Sequence, residues 1–337
     1  MKVYHYVIRR LLLMIPVLLG VAVITFVVSH LIPGDPARLV AGPHAPVEAV
    51  LALRAKMGLD KPIYEQFFIY ISDILHGDLG TSITTRRAVS TDLLKFFPAT
   101  LELTLLSMIV SIVVGIPLGI VSATRQNRLP DHLGRIFALT GVATPVFWSG
   151  LMVLLVFYYL LGWLPGPGRI GVGLVTPRTI TGMLVLDSLL AGNWPALVSS
   201  IRHLVLPTAV LAFSTMGSIV RMVRSGMLEV LREDYIVMAK SKGLSERTVV
   251  YKHAFKNAVT STITLIGLIF GTLLSGTVLV EAIFAWPGIG RYAVTAITYL
   301  DFAAVMGYTL LITLVYLFVN LGVDLLYGFL DPRIKVE

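Results

Sequence analysis

Residues 234–257 read DYIVMAKSKGLSERTVVYKHAFKN, a charged stretch set between two long apolar runs. Leu228, Leu231, Tyr235 and Met238 recur at steps of three and four, which predicts one apolar stripe along a helix face. Glu229, Glu233 and Asp234 come early and Lys240 and Lys242 late, the order that suits a helix dipole. Gly243 stands where a helix ends on a left-handed residue. Ser245 follows as an N-cap, with Leu244 and Val249 spaced as a hydrophobic staple. The pattern predicts two helices meeting at a fixed corner, a handle for a partner protein.

The rest of the chain sets this corner in a membrane. It is 56% hydrophobic and 14% charged, with a mean hydropathy of +0.85, against roughly 25% charged for an ordinary soluble domain. There is no cysteine, so disulfides and thiolate sites are excluded. The seven histidines are scattered singly without HExxH-like spacing, which gives no reason to expect a metal site. Six runs are long enough to cross about 30 Å of hydrocarbon: 11–31, 99–123, 136–161, 204–220, 259–283 and 302–326. Arg9 and Arg10 before the first run suggest a signal peptide. The run is too long for one and meets Ile32-Pro33-Gly34-Asp35-Pro36 instead of a small-residue cleavage site, so it reads as an uncleaved span.

With the amino terminus inside, the inner loops and tails hold sixteen basic and eight acidic residues, and the remaining eleven of each sign cancel outside. The whole net charge of +8 then lies on the cytoplasmic side. The basic pI needs no nucleic acid. Both termini and the 234–257 corner are expected in the cytoplasm. Outside, the segment 33–98 is expected to hold two amphipathic helices. The clearer one covers 62–75, with Ile63, Phe67, Tyr70, Ile71 and Ile74 on one face and a stop at His76-Gly77. The Gly- and Pro-rich 162–203 segment predicts turns and short pieces. These outer segments either dock an external binding protein or cap the bundle.

Several functions lack their residues. A P-loop needs Gly-Lys-Ser/Thr to hold phosphates, and the dipeptide Gly-Lys never occurs. There is no GxSxG elbow, and Gly288 to Gly290 follow Trp286-Pro287, no setting for a nucleotide. An ion-driven transporter would carry ionisable groups at mid-membrane, but Glu102, Glu281 and Asp324 stay near run ends. Ser107, Ser111, Gly115, Gly119 and Ala123 step by four in the second run, and Gly267, Gly271 and Ser275 in the fifth, the spacing of close helix packing. Pro117 and Pro145 are expected to bend their helices. Asn320 and Asp324, one turn apart, suggest a polar contact between helices.

Further motifs run along the chain: Gly58-Leu59-Asp60-Lys61-Pro62, Gly77-Asp78-Leu79-Gly80, and Pro98-Ala99-Thr100-Leu101-Glu102-Leu103. His253-Ala254-Phe255-Lys256-Asn257-Ala258, Glu281-Ala282-Ile283-Phe284-Ala285-Trp286-Pro287-Gly288-Ile289-Gly290-Arg291 and Asp324-Leu325-Leu326-Tyr327-Gly328 complete the set. With Ile32 to Pro36 and the corner itself, their order resembles permease subunits of binding-protein-dependent ABC importers, of the dipeptide and oligopeptide permease B type.

The resemblance implies an all-α inner-membrane protein of six transmembrane helices with the type I importer permease fold. It divides the chain into a first helix and external loop (1–97), a permease domain (98–328) with its coupling loop at 225–258, and a cytoplasmic tail (329–337). It also implies a second homologous permease, two ATPase subunits that use ATP and Mg, an external substrate-binding protein, and a peptide substrate, with glutathione or nickel complexes as alternatives. No cofactor is implied for this chain itself. In the family the EAA loop seats a coupling helix in the ATPase. Its pattern aligns here as Val237-Met238-Ala239 with the glycine at Gly243, so the glutamate and first alanine are absent. The seat implied comprises Asp234, Tyr235, Val237, Met238, Ala239, Lys242, Gly243, Leu244 and Ser245. Ser261 stands where relatives usually carry a proline, a departure expected to alter the start of that helix.

Overall fold

The computed structural model describes residues 3–31, 36–42, 44–56 and 58–330. Ile32-Pro33-Gly34-Asp35 of the first motif and residues 331–337 of the expected tail lie outside the described residues. The chain opens with α1 (Val3–Leu31), followed by the shorter α2 (Pro36–Ala41), α3 (Val47–Lys56) and α4 (Ile63–Leu75), and then by the long α5 (Val89–Thr124). α6 (Leu129–Ala143) bends into α7 (Val146–Val153), which runs on as a π-helix over Leu154–Leu160. After α8 (Leu184–Leu190) come α9 (Trp194–Val230), α10 (Asp234–Ser241) and α11 (Glu246–Thr248). A π-helical turn, Val249–Phe255, leads into α12 (Lys256–Gly276), and α13 (Val278–Ile283), α14 (Ile289–Thr298) and α15 (Phe302–Leu330) complete the fold. No strand occurs among the described residues, as an all-α fold requires.

Five segments are long and apolar enough to cross a membrane: Tyr4–Leu31, Val89–Thr124, Trp194–Val230, Glu246–Leu274 and Phe302–Leu325. The bent pair α6–α7, taken as one broken span, brings the number to six. The chain is a multi-pass membrane protein.

Boundaries differ from the sequence reading where polarity and helicity part company. The fourth run was expected at 204–220, yet α9 has 37 residues, about 55 Å at 1.5 Å each. Its start is fixed by the Asn193 side chain, which accepts from the Ala196 amide at 3.2 Å, and by a proline in the first turn. The irregular outer segment is correspondingly shorter than 162–203. The fifth run does not reach 283: α12 stops at Gly276, and Glu281 lies on the separate α13. Ser261 is interior to a continuous helix, because it keeps the N–H that a proline would lack. Pro98 and Pro117 are carried inside α5 without a break, whereas Pro145 separates two helices.

The expected stripe of Leu228, Leu231, Tyr235 and Met238 is not one face. α9 ends at Val230, and the backbone turns extended at Glu233 (φ −70°, ψ 145°) before α10 begins. Leu228 and Leu231 instead pack against the bundle core. The outer amphipathic helix fits its expectation closely. α4 starts after Pro62 and stops at His76, and Phe67 and Tyr70 lie against Phe26 of α1 at ring separations of 5.3 and 5.7 Å.

α5 and α9 form the centre, running parallel. The small residues explain how close they come: Ser111 Oγ lies 2.8 Å from Thr215 Oγ1, and a Cβ on Gly115 or Gly119 would fall 3.2 Å from Ile219 or 2.7 Å from Val223. α6 covers the other side of α9, where Gly141 approaches the Phe213 backbone. α12 packs on α15 through Gly267 and Gly271, whose added Cβ atoms would fall 2.1 Å from Val323 and 3.0 Å from Tyr316. Ser275 continues this helix, with its side chain outside the described residues. Of the expected polar pair, Asp324 on α15 meets Arg10 of α1 at 2.7 Å, whereas Asn320 Oδ1 is buried without a hydrogen-bond partner among the described residues.

Candidate functional site: the helical corner

The corner forms from local signals in the order the sequence gives them. Beyond α10 the Gly243 amide donates to the Lys240 carbonyl at 2.9 Å, and the Leu244 amide to Ala239 at 3.4 Å. These are the two bonds of a Schellman end. Gly243 has φ +77°, which a residue with a Cβ reaches only under strain. Two residues on, Ser245 Oγ accepts from the Thr248 amide at 3.3 Å and starts the return helix. The staple does not close: Val249 is buried while Leu244 is exposed. Across the turn, Asn257 Nδ2 donates to the Tyr235 hydroxyl at 2.8 Å, tying the start of α10 to the start of α12.

The two faces of α10 are distinct. Ile236 and Ala239 are buried and join the core with Val249, Val250 and Ala254. Burying the isoleucine stabilises this docking by about 1.5–3 kcal/mol. Tyr235, Val237 and Met238 point outward at 40%, 56% and 58% exposure, and Leu244 and Tyr251 are exposed beside them. Asp234, Lys240, Lys242, Glu246, Arg247, Lys252 and Lys256 are exposed around this apolar patch. Of the residues the family pattern assigns to the seat, Ala239 therefore faces the bundle, and Ser245 serves the turn itself.

A buried clamp stands behind the corner. Asp131, fully buried at the start of α6, receives Arg224 of α9 through Nε at 2.7 Å and Nη2 at 2.9 Å. Ser122 Oγ at the end of α5 donates to it at 2.6 Å, and the Asn127 amide at 2.9 Å. One carboxylate thus binds three helices together. Sequence reasoning counted Asp131 and Arg224 only as loop and terminal charges. Asp131 lies in the polar stretch before the 136–161 run, so hydropathy gave no signal of its burial.

At the opposite end of α5 a second brace joins two motifs. Glu281 accepts from Thr100 Oγ1 at 2.6 Å, Thr277 Oγ1 at 3.0 Å and the Arg291 amide at 2.9 Å. Trp286 Nε1 donates to the Ala99 carbonyl at 2.9 Å, and the Ile289 amide to Thr100 Oγ1 at 2.9 Å. Gly288 passes so close that a Cβ would sit 2.4 Å from both Glu281 Oε2 and Thr100 Oγ1. Glu102 pairs with Arg169 and accepts from the Val185 amide at 2.7 Å, pinning the start of α8. There Asp187 receives Thr181 N and Oγ1, both at 2.7 Å, and the Gly182 amide at 3.0 Å. Burial alone would raise its carboxyl, but these bonds outweigh burial and hold it below the usual carboxylate range.

The bundle thus presents a rigid, outward-facing corner built from α10 and the return helix. Two family models match: the binding-protein-dependent transport system inner membrane component over residues 115–336, and its N-terminal component over residues 3–104. The chain belongs to this family of inner-membrane transport components. It is 51% identical over 318 residues to the probable D,D-dipeptide transport system permease protein DdpB of Escherichia coli (strain K12), covering 94% of each chain. It is 44% identical to the dipeptide transport system permease protein DppB of Alkalihalophilus pseudofirmus, covering 98% of this chain and 99% of the relative. A chain of the inward-facing MetNI methionine ABC transporter matches in fold, with a TM-score of 0.50 and 16% identity over 69% of this chain and 93% of that one.

Proposed function

We propose that this chain is a non-catalytic permease subunit of an ATP-driven importer of di- or oligopeptides. It forms half of the translocation path beside a second homologous permease. Two ATPase subunits bind ATP and Mg and work on the corner, and an external binding protein delivers the peptide. Both termini lie in the cytoplasm on the corner side, in keeping with the basic residues gathered at that end. The peptide assignment rests on the two dipeptide permease relatives.

The observation that carries the coupling role is the division of α10 into a buried face at Ile236 and Ala239 and an exposed one at Tyr235, Val237 and Met238. A partner pressing on the exposed face moves a helix that cannot slide on the bundle, and packed elements respond to such a push as units. The test is uptake by the complete complex in proteoliposomes. ATP-dependent accumulation of a labelled dipeptide supports the reading. Accumulation of glutathione or a nickel complex in place of dipeptides would replace the substrate, and transport by this chain without its ATPases would overturn the mechanism.

A further inference from the structure

The crossing made by α6 and α7 is broken within the membrane. The two helices meet at 104°, and α6 reaches the break eight residues after its apolar run starts at 136, about 12 Å into a hydrocarbon layer of about 30 Å. Pro145 causes the break. It offers no N–H to the Gly141 carbonyl four residues earlier, and Thr144 before it is extended (φ −83°, ψ 126°). Non-helical backbone at membrane depth persists only where protein or a water-filled cavity covers it.

This chain does not supply that cover. The face of α6 carrying Gly134, Ala138 and Gly141 is buried, but Ala143 and Pro145 are exposed and Thr144 is half-buried. An open cleft of about 610 Å³ surrounds the break, lined by Thr140, Thr144, Phe147 and Trp148 among others. Thr140 Oγ1 donates to the Ile136 carbonyl at 2.9 Å and Thr144 Oγ1 to the Thr140 carbonyl at 2.6 Å. With their protons engaged, both hydroxyls offer only acceptor lone pairs to a visitor. Phe147 and Trp148, 47% and 50% exposed, add apolar surface beside them.

We infer that the break from Thr140 to Trp148 lines the water-filled path and contacts the peptide, its hydroxyl oxygens accepting from the peptide's amides or terminal ammonium. Hydroxyl acceptors beside aromatic faces suit a ligand that carries N–H donors and variable side chains. The inference rests on the permease reading above.

The absence of cysteine from the chain makes the test direct. Thr140→Cys, Thr144→Cys and, on the exposed middle of α1, Ile24→Cys are each assembled into the full complex, with the cysteine-free chain in the same complex as background. A charged, membrane-impermeant methanethiosulfonate is expected to modify the two threonine positions at least about tenfold faster than Ile24→Cys, and saturating dipeptide to slow that modification. Modification only by a lipid-soluble maleimide would place the break against lipid. No modification by either reagent would place it against the second permease. Either result overturns the inference, as does labelling that dipeptide leaves unchanged in a complex that imports dipeptide. Dipeptide uptake by the complex carrying the cysteine-free chain is measured in parallel. Its absence alongside fast charged labelling would sink the peptide reading while leaving the aqueous path in place.

Discussion

Arg224 grips Asp131 with two parallel bonds, 2.7 Å from Nε and 2.9 Å from Nη2, at the point where α5, α6 and α9 converge behind the corner. The carboxylate is fully buried, so its partner cannot be removed without leaving a charge in the bundle. Arg224→Ala is expected to destabilise the subunit by about 3–5 kcal/mol. Arg224→Lys, which cannot make the fork, should fall between the two. Thermal unfolding of the purified complex checks the order, and equal stability of all three would show that the clamp carries no load.

Gly243 needs its left-handed backbone for the Schellman end. Gly243→Ala is expected to cost about 1–2 kcal/mol from the strain of φ near +77°, whereas Ser245→Ala should cost about 1 kcal/mol through the lost cap. Hydrogen exchange across 234–257 reads both, with faster exchange confined to that segment. Unchanged exchange in both variants would mean that the turn is held by other contacts.

Glu281 and Gly288 are expected to behave as one unit. Gly288→Ala drives a methyl into Glu281 Oε2 and Thr100 Oγ1, so it should loosen the packing of α13 and α14 on α5. Limited proteolysis between Ala285 and Ile289 measures this. Glu281→Ala removes one of the clashing groups, so the double variant should lose less than the two single losses added together. Strict additivity would contradict the shared brace.

Asp187 gives a pH dependence. Its folded carboxyl lies below the ordinary range, so its stabilising contribution is present above the unfolded pKa and is lost as pH falls through the folded value. Exchange of the 180–182 amides should therefore rise below the usual carboxylate range. In Asp187→Asn it should already be high at neutral pH, and wild-type protection in that variant would refute the assignment.

The corner was legible because its signals are local. Gly243, Ser245 and the charge order from Glu229 lie close together in sequence, and the turn closes through bonds three to five residues long. The apolar runs likewise marked the crossings, and Pro145 marked a bend. What sequence reasoning missed depends on distance or on interrupted helicity. Thr100 and Glu281 are 181 positions apart, and nothing in either motif names the other. The fifth run appeared to reach 283 because Val278, Leu279 and Val280 continue its hydropathy after the helix has ended. The stripe through Tyr235 failed because three residues of turn, 231–233, reset the helical phase.

The central claim is that the corner transmits work from the ATPases to the pore. The most direct measurement is the number of dipeptides imported per ATP hydrolysed by the reconstituted complex carrying Gly243→Pro, with Tyr235→Ala beside it. Proline fixes φ near −65°, opposite in sign to the φ of +77° found here. The account predicts an assembled complex in which that ratio collapses for Gly243→Pro and falls for Tyr235→Ala. A wild-type ratio in both variants would contradict it.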